Sequence, residues 1–322
     1  LLHSRLNIID LNQRSNQPFQ IGDYIIVFNG EIYNYIELSE NLKKQNIKLR
    51  TKSDTEILLY YYILYGEKCV SFFEGMWSFA IYNKKKKGLF ISRDRFGEKP
   101  LYYYFYKNNL YFGSEVKFII SLLGQKLQIN DLMISNFLMN GYRTLFKTPE
   151  TFFKNIFSLE PGFSMIINEG LIKKKYSYWE RVKKEKKISL SDSVEQCRIK
   201  LIESLRIRTR ADVPIAFCLS GGVDSASLVS ISSKILNLNF KTFSIIDSDQ
   251  KYNELNNIQA TINDTGCDNE MIKLQKKDFI PNLKKLIKYH HSPISTISYY
   301  IHSLISQKAS KQGFKVIISG TG

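Results

Sequence analysis

Residues 215–231 confine the second half of this 322-residue chain to a single architecture. Ile215-Ala216-Phe217-Cys218-Leu219 is a short apolar run, Ser220-Gly221-Gly222 a tight turn, and Val223-Asp224-Ser225 leads into Ala226 to Ile231. That order reads as buried strand, glycine turn and helix. Further units of the same kind surround it. A helix over Ser191–Arg208, capped by Ser191 or Asp192 and supported by Glu195, precedes it. Helix Asp224–Leu236, strand Lys241–Ile246, helix Asn253–Thr265 and strand Glu270–Leu274 follow. Helices Phe279–His290 and Ser298–Gln312 and strand Lys315–Ile318 complete the series. Strands alternating with helices build a parallel sheet covered on both faces, and such sheets bind ligands at the carboxyl ends of their strands. Ser220 and Ser319 both sit just past such ends.

The turn itself carries chemistry. Gly221 and Gly222 let the backbone approach a ligand and adopt positive φ. The helix start offers free N–H groups and a positive dipole end to an anion. Ser220 and Ser225 add hydroxyls, and Asp224 can hold a hard cation that travels with phosphate. These features describe a pyrophosphate cradle, and a plain strand-to-helix turn without ligand is the alternative. No Gly-Lys-Ser/Thr follows the glycines, so a kinase-like grip on a γ-phosphate is unsupported. A Ser-Gly-Gly-x-Asp-Ser loop after a buried strand resembles the pyrophosphate loop of the ATP pyrophosphatases, which cleave ATP between its α and β phosphates.

The first half reads differently. Asp23–Asn29 is a strand, Tyr35–Gln45 and Ser53–Leu64 are helices, and Ser53 or Asp54 caps the second. Trp77–Asn83 and Gly88–Ser92 form a hairpin about Lys84–Lys87. Leu101–Tyr106 and Leu110–Gly113 form another, turned at Asn108-Asn109. The pattern predicts an α+β domain of layered antiparallel sheets over residues 1–185, with Tyr178–Ile188 as a charged linker. The α/β domain occupies residues 186–322.

Composition limits the partners. A hydrophobic share of 43% is that of a globular chain. The longest apolar run, Ile57–Tyr65, is far short of the roughly 18 residues of a membrane span. The net charge of +16 invites nucleic acid. Its lysines, however, fall in short runs, Lys84–Lys87, Lys173–Lys175 and Lys183–Lys187, where turns or linkers are expected, and no nucleic-acid motif accompanies them. The reading is therefore no nucleic acid and no membrane. Cys69, Cys197, Cys218 and Cys267 form no C-x-x-C pair, which suits a reducing cytoplasm. His290 and His291 have no carboxylate or thiol at ligand spacing and read as a helix end.

Several motifs together identify a family. Asn29-Gly30-Glu31-Ile32-Tyr33-Asn34, Ser53-Asp54-Thr55-Glu56, Gly75-Met76-Trp77-Ser78-Phe79-Ala80 and the stretch Arg93 to Tyr103 resemble the class II glutamine amidotransferase domain of glutamine-hydrolysing asparagine synthetases. Asp212-Val213-Pro214, the Ser220–Ser225 loop and Ile318-Ser319-Gly320 resemble its synthetase domain. The resemblance covers essentially the whole chain. It implies an Ntn-hydrolase-like first domain and an adenine nucleotide α-hydrolase-like second one. It further implies that glutamine gives ammonia in the first, and that ATP and Mg²⁺ activate aspartate as β-aspartyl-AMP in the second, where channelled ammonia displaces AMP. A homodimer is one assembly open to such a chain.

The resemblance also assigns residues. Asn29 and the Gly30 N–H would form the oxyanion hole, sensible donors for a tetrahedral intermediate. An Asn-Gly turn is the structural alternative. Arg5 would grip the glutamine carboxylate, Asp54 would pair with its α-amine, and Glu31 would lie near Asp54. Leu219 and Ile245 would flank adenine, with Ser220, Gly221, Gly222, Asp224, Ser225, Ser319 and Gly320 on the nucleotide and Asp224 as the metal ligand. No chemistry is expected of the Arg93 to Tyr103 stretch, which reads as a shaped loop, nor of the tyrosine runs 60–62 and 102–104, which read as packing.

Two departures qualify the expectation. The family's nucleophile is an N-terminal cysteine whose own α-amine is the base. The chain opens on Leu-Leu and ends on Ile-Ser-Gly-Thr-Gly, so it reads as an internal piece of a longer protein, and this polypeptide alone is expected not to hydrolyse glutamine or complete the synthesis. At Thr321, asparagine synthetases usually carry Glu, linked to forming or aminating the adenylate. Thr cannot act as a carboxylate base. The acceptor is therefore aspartate or another carboxylate, such as one on a surface-polysaccharide sugar. A non-catalytic nucleotide or glutamine sensor and a tRNA-modifying pyrophosphatase are the alternatives outside this chemistry.

Overall fold

A computed structural model describes residues 1–107, 109–181, 187–246, 254–275 and 278–320. The chain divides into two compact units, Leu1–Lys184 with His290–Ser295, and Glu185–Tyr289 with Thr296–Gly322.

The first unit is built around a six-stranded antiparallel sheet. Its strands are β1 (Phe19–Ile21), β2 (Tyr24–Ile32), β3 (Gly75–Asn83), β4 (Gly88–Arg93), β8 (Phe163–Asn168) and β9 (Leu171–Ser177), in the order β1-β2-β3-β4-β8-β9. Side chains of a strand alternate between faces, and here the two faces have different partners. Ile26 and Phe28 of β2, Trp77, Phe79 and Ile81 of β3 and Phe90 of β4 pack with Leu38 and Leu42 of α1 (Tyr35–Lys44) and Leu58, Leu59 and Tyr61 of α2 (Asp54–Tyr65). Val27, Ala80, Ile91, Met165 and Ile167 point the other way. They meet Leu101, Tyr103 and Leu159, which belong in or beside a second, three-stranded sheet. That sheet runs β6-β5-β7, from β5 (Tyr102–Tyr106), β6 (Asn109–Gly113) and β7 (Ile156–Ser158). Its far face is covered by α3 (Val116–Leu123) through Val116 and Ile119, with Ile156 beneath. The layers are thus helix, sheet, sheet, helix, which meets the expectation of layered antiparallel sheets. One further helix, α4 (Asp131–Asn140), follows α3.

The second unit holds a four-stranded parallel sheet in the order β12-β11-β10-β13. Its strands are β10 (Ile215–Cys218), β11 (Lys241–Ile246), β12 (Asp268–Lys273) and β13 (Val316–Ile318). Phe217 and Leu219 lie in one core with Leu205 of α5 (Leu190–Arg208), Val229 of α6 (Val223–Lys234) and Ile258 of α7 (Leu255–Thr265). Ala216 and Phe243 lie in another with Ile305 and Ala309 of α9 (Ile297–Lys311). Helices cover both faces, as the alternation of strand and helix predicts. The remaining helix, α8, spans Phe279–His290, and His291 follows it at φ 53°.

Several expectations need correction. The cap of α5 is Ser189, whose Oγ accepts the Asp192 N–H at 3.1 Å, rather than Ser191 or Asp192. An Ncap hydroxyl serves the amide two or three residues on, and Ser189 is so placed. Lys173–Lys175 lie within edge strand β9, not in a turn or linker. A sheet edge is a usual place for lysines, because charge there discourages further pairing. Asn109 begins β6, while Asn108, residues 182–186 of the linker, Asn253 and Thr321 fall outside the described residues.

Candidate functional site

Two places in the fold gather the residues singled out by sequence, one in each unit. In the first unit they converge on the end of β2. Asn29, Gly30 and Glu31 are consecutive there and pair with Ser78, Trp77 and Met76 of β3. A Cβ on Gly30 would stand 2.1 Å from the Met76 carbonyl oxygen, and one on Gly75 would stand 2.1 Å from that of Glu31. Only glycines at both positions let the two backbones approach this closely. The Asn29 amide is oriented from outside the strand, its Nδ2 donating to Ser114 Oγ at 3.1 Å.

Two acids are buried beside these donors. Glu31 and Asp54 are each 6% exposed. Asp54 opens α2, next to Ser53, whose Oγ caps the helix at the Thr55 N–H. Its own Oδ2 accepts the Ile32 N–H at 3.0 Å, which ties the helix start to β2. Of the two residues offered as cap, Ser53 is the cap, and Asp54 is instead the first residue of the helix, bonded to the strand that carries Asn29 and Gly30. Burial pushes Glu31 up to about 7, the Asp54 charge adding to the effect and Lys99 opposing it. Burial likewise pushes Asp54 up to about 6, against the hydrogen bonds it accepts and the charge of Arg5. In both acids burial outweighs the nearby cation, Lys99 for Glu31 and Arg5 for Asp54. Arg5 is anchored by the loop after it, donating to the carbonyls of Ile9, Asp10 and Asn12 at 2.8, 2.5 and 3.1 Å.

The Arg93 to Tyr103 stretch is a scaffold. Asp94 is fully buried, and its carboxylate accepts the N–H groups of Trp77, Phe96, Glu98 and Lys99. The Arg93 guanidinium donates to the carbonyls of Gly97, Lys99 and Leu159. Buried groups so fully paired rigidify a loop. Burial raises the Cys69 thiol far above its ordinary value and pushes Cys218 up to about 11. Neither is set up as a thiolate nucleophile.

In the second unit, Ser220 to Ser225 join β10 to α6. Ser220 N–H donates to Ser225 Oγ at 3.0 Å, the two hydroxyls are 2.9 Å apart, and Gly222 N–H donates to Ser220 Oγ at 3.3 Å. The loop glycines do not take the positive φ expected of them. Gly222 is extended at φ −80°, and Gly221 is not among the residues with positive φ. Their use is close approach, since a Cβ on Gly221 would meet Glu254 Cβ at 2.3 Å. The segment after β13 lies against the same loop: a Cβ on Gly320 would stand 3.0 Å from the Ser225 nitrogen and 3.2 Å from Asp224 Cβ. Ser319 lies beside Cys218, hydrogen-bonded to its thiol. Leu219 is buried, its N–H donating to Phe243 O and its carbonyl accepting from Ser244 Oγ, and Ile245 follows on β11. Asp224 is an exposed carboxylate in the first turn of α6. No group of three or more His, Cys, Asp or Glu able to hold a metal occurs among the described residues. A lone carboxylate fits Mg²⁺, which commonly takes one or two protein carboxylates and completes its shell with phosphate oxygens and water.

Sequence reasoning missed Ser114 and Glu254. They lie 85 and 33 residues from their partners Asn29 and Gly221, and neither sits in a motif of its own.

Comparison with known proteins gives the family. Residues 1–179 match the family described as a glutamine amidotransferase domain, and residues 196–322 match asparagine synthase. The chain therefore belongs to the glutamine amidotransferase family, in the arrangement in which that domain precedes an asparagine synthase domain. Asparagine synthetase [glutamine-hydrolyzing] 1 of Bacillus subtilis is 32% identical over 99% of this chain and 50% of its own length. A Methanocaldococcus jannaschii protein provisionally named as such a synthetase is 33% identical over 99% of the chain and 64% of its own length. Amidase chry2 of Gibberella zeae is 27% identical over 99% of the chain and 50% of its own length. The chain thus spans about half to two thirds of these curated relatives. No helix among the described residues is long and apolar enough to cross a membrane.

Proposed function

We propose that the protein carrying this chain is an ATP-dependent, glutamine-hydrolysing amidotransferase that makes asparagine from aspartate. Residues 1–185 would release ammonia and residues 186–322 would use it. In the first unit, Asn29 Nδ2–H and the Gly30 N–H would receive the oxyanion of the tetrahedral intermediate. Glu31 and Asp54 would take the glutamine α-ammonium, and Arg5 its carboxylate. The observation that best supports this is the burial of two acids beside the Asn29-Gly30 donors, where Asp54 accepts from the uncharged Ile32 N–H and Ser53 hydroxyl. An amino acid's ammonium would add a cation in direct contact with them.

In the second unit, Ser220, Gly221, Gly222 and Ser225 would hold the pyrophosphate, with Ser319 and Gly320 approaching from β13. Leu219 and Ile245 would flank the adenine. Asp224 would hold Mg²⁺, which when bound neutralises phosphate charge. An aspartate carboxylate oxygen would bond to the α-phosphorus as the bond to pyrophosphate breaks. Ammonia would then displace AMP from the acyl carbon, losing a proton to leave the amide.

Incubation of the full-length protein with aspartate, ATP, Mg²⁺ and amide-¹⁵N glutamine tests the proposal. Expected are ¹⁵N-asparagine, AMP and pyrophosphate in equal amounts. Release of ADP and phosphate, or AMP formation that ignores aspartate, would overturn it. A second reading keeps the chemistry and changes the acceptor. It is favoured by the similarity to a relative named an amidase and by Thr321, where asparagine synthetases usually carry Glu. Pyrophosphate release with another carboxylate in place of aspartate would select it.

A further inference from the structure

The loop read above as a pyrophosphate cradle already holds an anion of the chain's own. Gly221 N–H donates to Glu254 Oε2 at 3.0 Å. The contact extends along the side chain, because a Cβ on Gly221 would meet Cγ and Cδ of Glu254 at 3.1 Å as well as its Cβ. One turn on, Asn257 Nδ2 donates to the Gly221 carbonyl at 3.3 Å. The Glu254 carbonyl accepts the Ile258 N–H and so starts α7. The start of one helix thus grips both the N–H and the C=O of a loop glycine.

The three amides of the turn differ in what holds them. Those of Ser220 and Gly222 donate to the hydroxyls of Ser225 and Ser220. A hydroxyl can rotate and follow an incoming phosphate as donor or acceptor. The Gly221 amide donates to a carboxylate, which accepts only and carries charge. One N–H cannot serve a carboxylate and a phosphate oxygen together, and two anions a few ångströms apart repel.

We infer that Glu254 competes with polyphosphate for the Gly221 N–H and sets which anions the loop accepts. A ligand must bring enough contacts to displace it. Pyrophosphate and the polyphosphate of a nucleotide do so, and a small anion such as inorganic phosphate does not. Displacement also frees the Glu254 end of α7 from the loop. The inference rests on the reading of residues 220–225 as a pyrophosphate loop.

Calorimetric titration of the whole protein with inorganic pyrophosphate, and separately with inorganic phosphate, tests it. Glu254→Gln keeps the shape and removes the charge. It should tighten pyrophosphate roughly tenfold and make phosphate binding detectable. Asn257→Ala loosens the same helix start but leaves the charge, so it should not tighten either ligand. If the Gln variant fails to fold, Glu254→Asp draws the carboxylate back by one methylene and should tighten pyrophosphate in the same direction. Wild-type binding that is unchanged or weakened by Glu254→Gln overturns the inference and leaves Glu254 a structural prop. Absence of pyrophosphate binding in wild type and variants alike overturns the reading of the loop, and the inference with it.

Discussion

One of the two amide N–H bonds of Asn29 is engaged by Ser114, so the other has a fixed direction. An oxyanion donor contributes through preorganisation, which is lost when its side chain can rotate. In the full-length protein, Ser114→Ala should therefore lower kcat for glutamine hydrolysis by roughly tenfold while KM for glutamine changes little. Ser114→Thr, which keeps the hydroxyl, should recover most of it. An equal rise in KM would show that Ser114 shapes the pocket rather than the donor. Glu31 and Asp54 give a second prediction at this scale. Both fold with carboxyl pKa values raised, to about 7 and about 6, above their ordinary 4.5 and 3.8. The folded chain therefore binds protons more tightly than the unfolded one, and stability falls as pH rises from about 4 to about 7. Glu31→Gln should flatten that decline and stabilise the protein at pH 8 by about 1–2 kcal/mol. Binding of an ammonium needs the ionised acids, so KM for glutamine in the wild type should fall as pH rises through 6 to 7. A thermal melt series with and without the substitution, and KM measured across the same range, check the two halves.

At the scale of elements, the closeness of β2 and β3 at their site end depends on Gly30 and Gly75. Gly30→Ala would drive a methyl into the Met76 carbonyl and within 2.8 Å of Trp77 Cα. Backbone atoms cannot yield as a flexible side chain can, so the strands must part. A loss of about 2–4 kcal/mol is expected, together with loss of glutamine hydrolysis, measurable by denaturant unfolding and a glutamate-release assay. These elements also show what a sequence can convey. The strands β2, β3, β10 and β11 and the helices α1, α2 and α6 are legible because their apolar runs are bounded by local turn residues. The site residues on them came with their motifs. Ser189 was passed over as a cap because Ser191 and Asp192 offer the same chemistry two residues on. The edge strand β9 was hidden by its lysines, and α3, β7 and β8 by lying between clearer signals. Ser114 and Glu254 could not be read at all, since each matters only through a partner brought near by the fold.

At the scale of the whole molecule, each unit has hydrophobic clusters of its own. Trp77, Phe79 and Met165 lie in clusters of the first, Phe217 and Phe243 in clusters of the second. A unit with its own core can unfold as a cooperative body. The proposed ligands divide in the same way, glutamine to the Asn29–Asp54 site and nucleotide to the Ser220–Ser225 loop. A ligand that binds only the folded form of one unit stabilises that unit by mass action, by about 2.7 kcal/mol at a hundred times its dissociation constant. Scanning calorimetry of the whole protein should then show two transitions. ATP with Mg²⁺ should raise one, and a non-hydrolysed glutamine analogue should raise the other. Substitutions assign them: Phe243→Ala, which empties part of the second unit's core, should lower the ATP-responsive transition and cost that unit about 3–5 kcal/mol. Phe79→Ala should do the same to the other. A single transition moved equally by both ligands would mean that the units unfold as one body, and a glutamine response that follows Phe243 rather than Phe79 would place the glutamine site in the wrong unit.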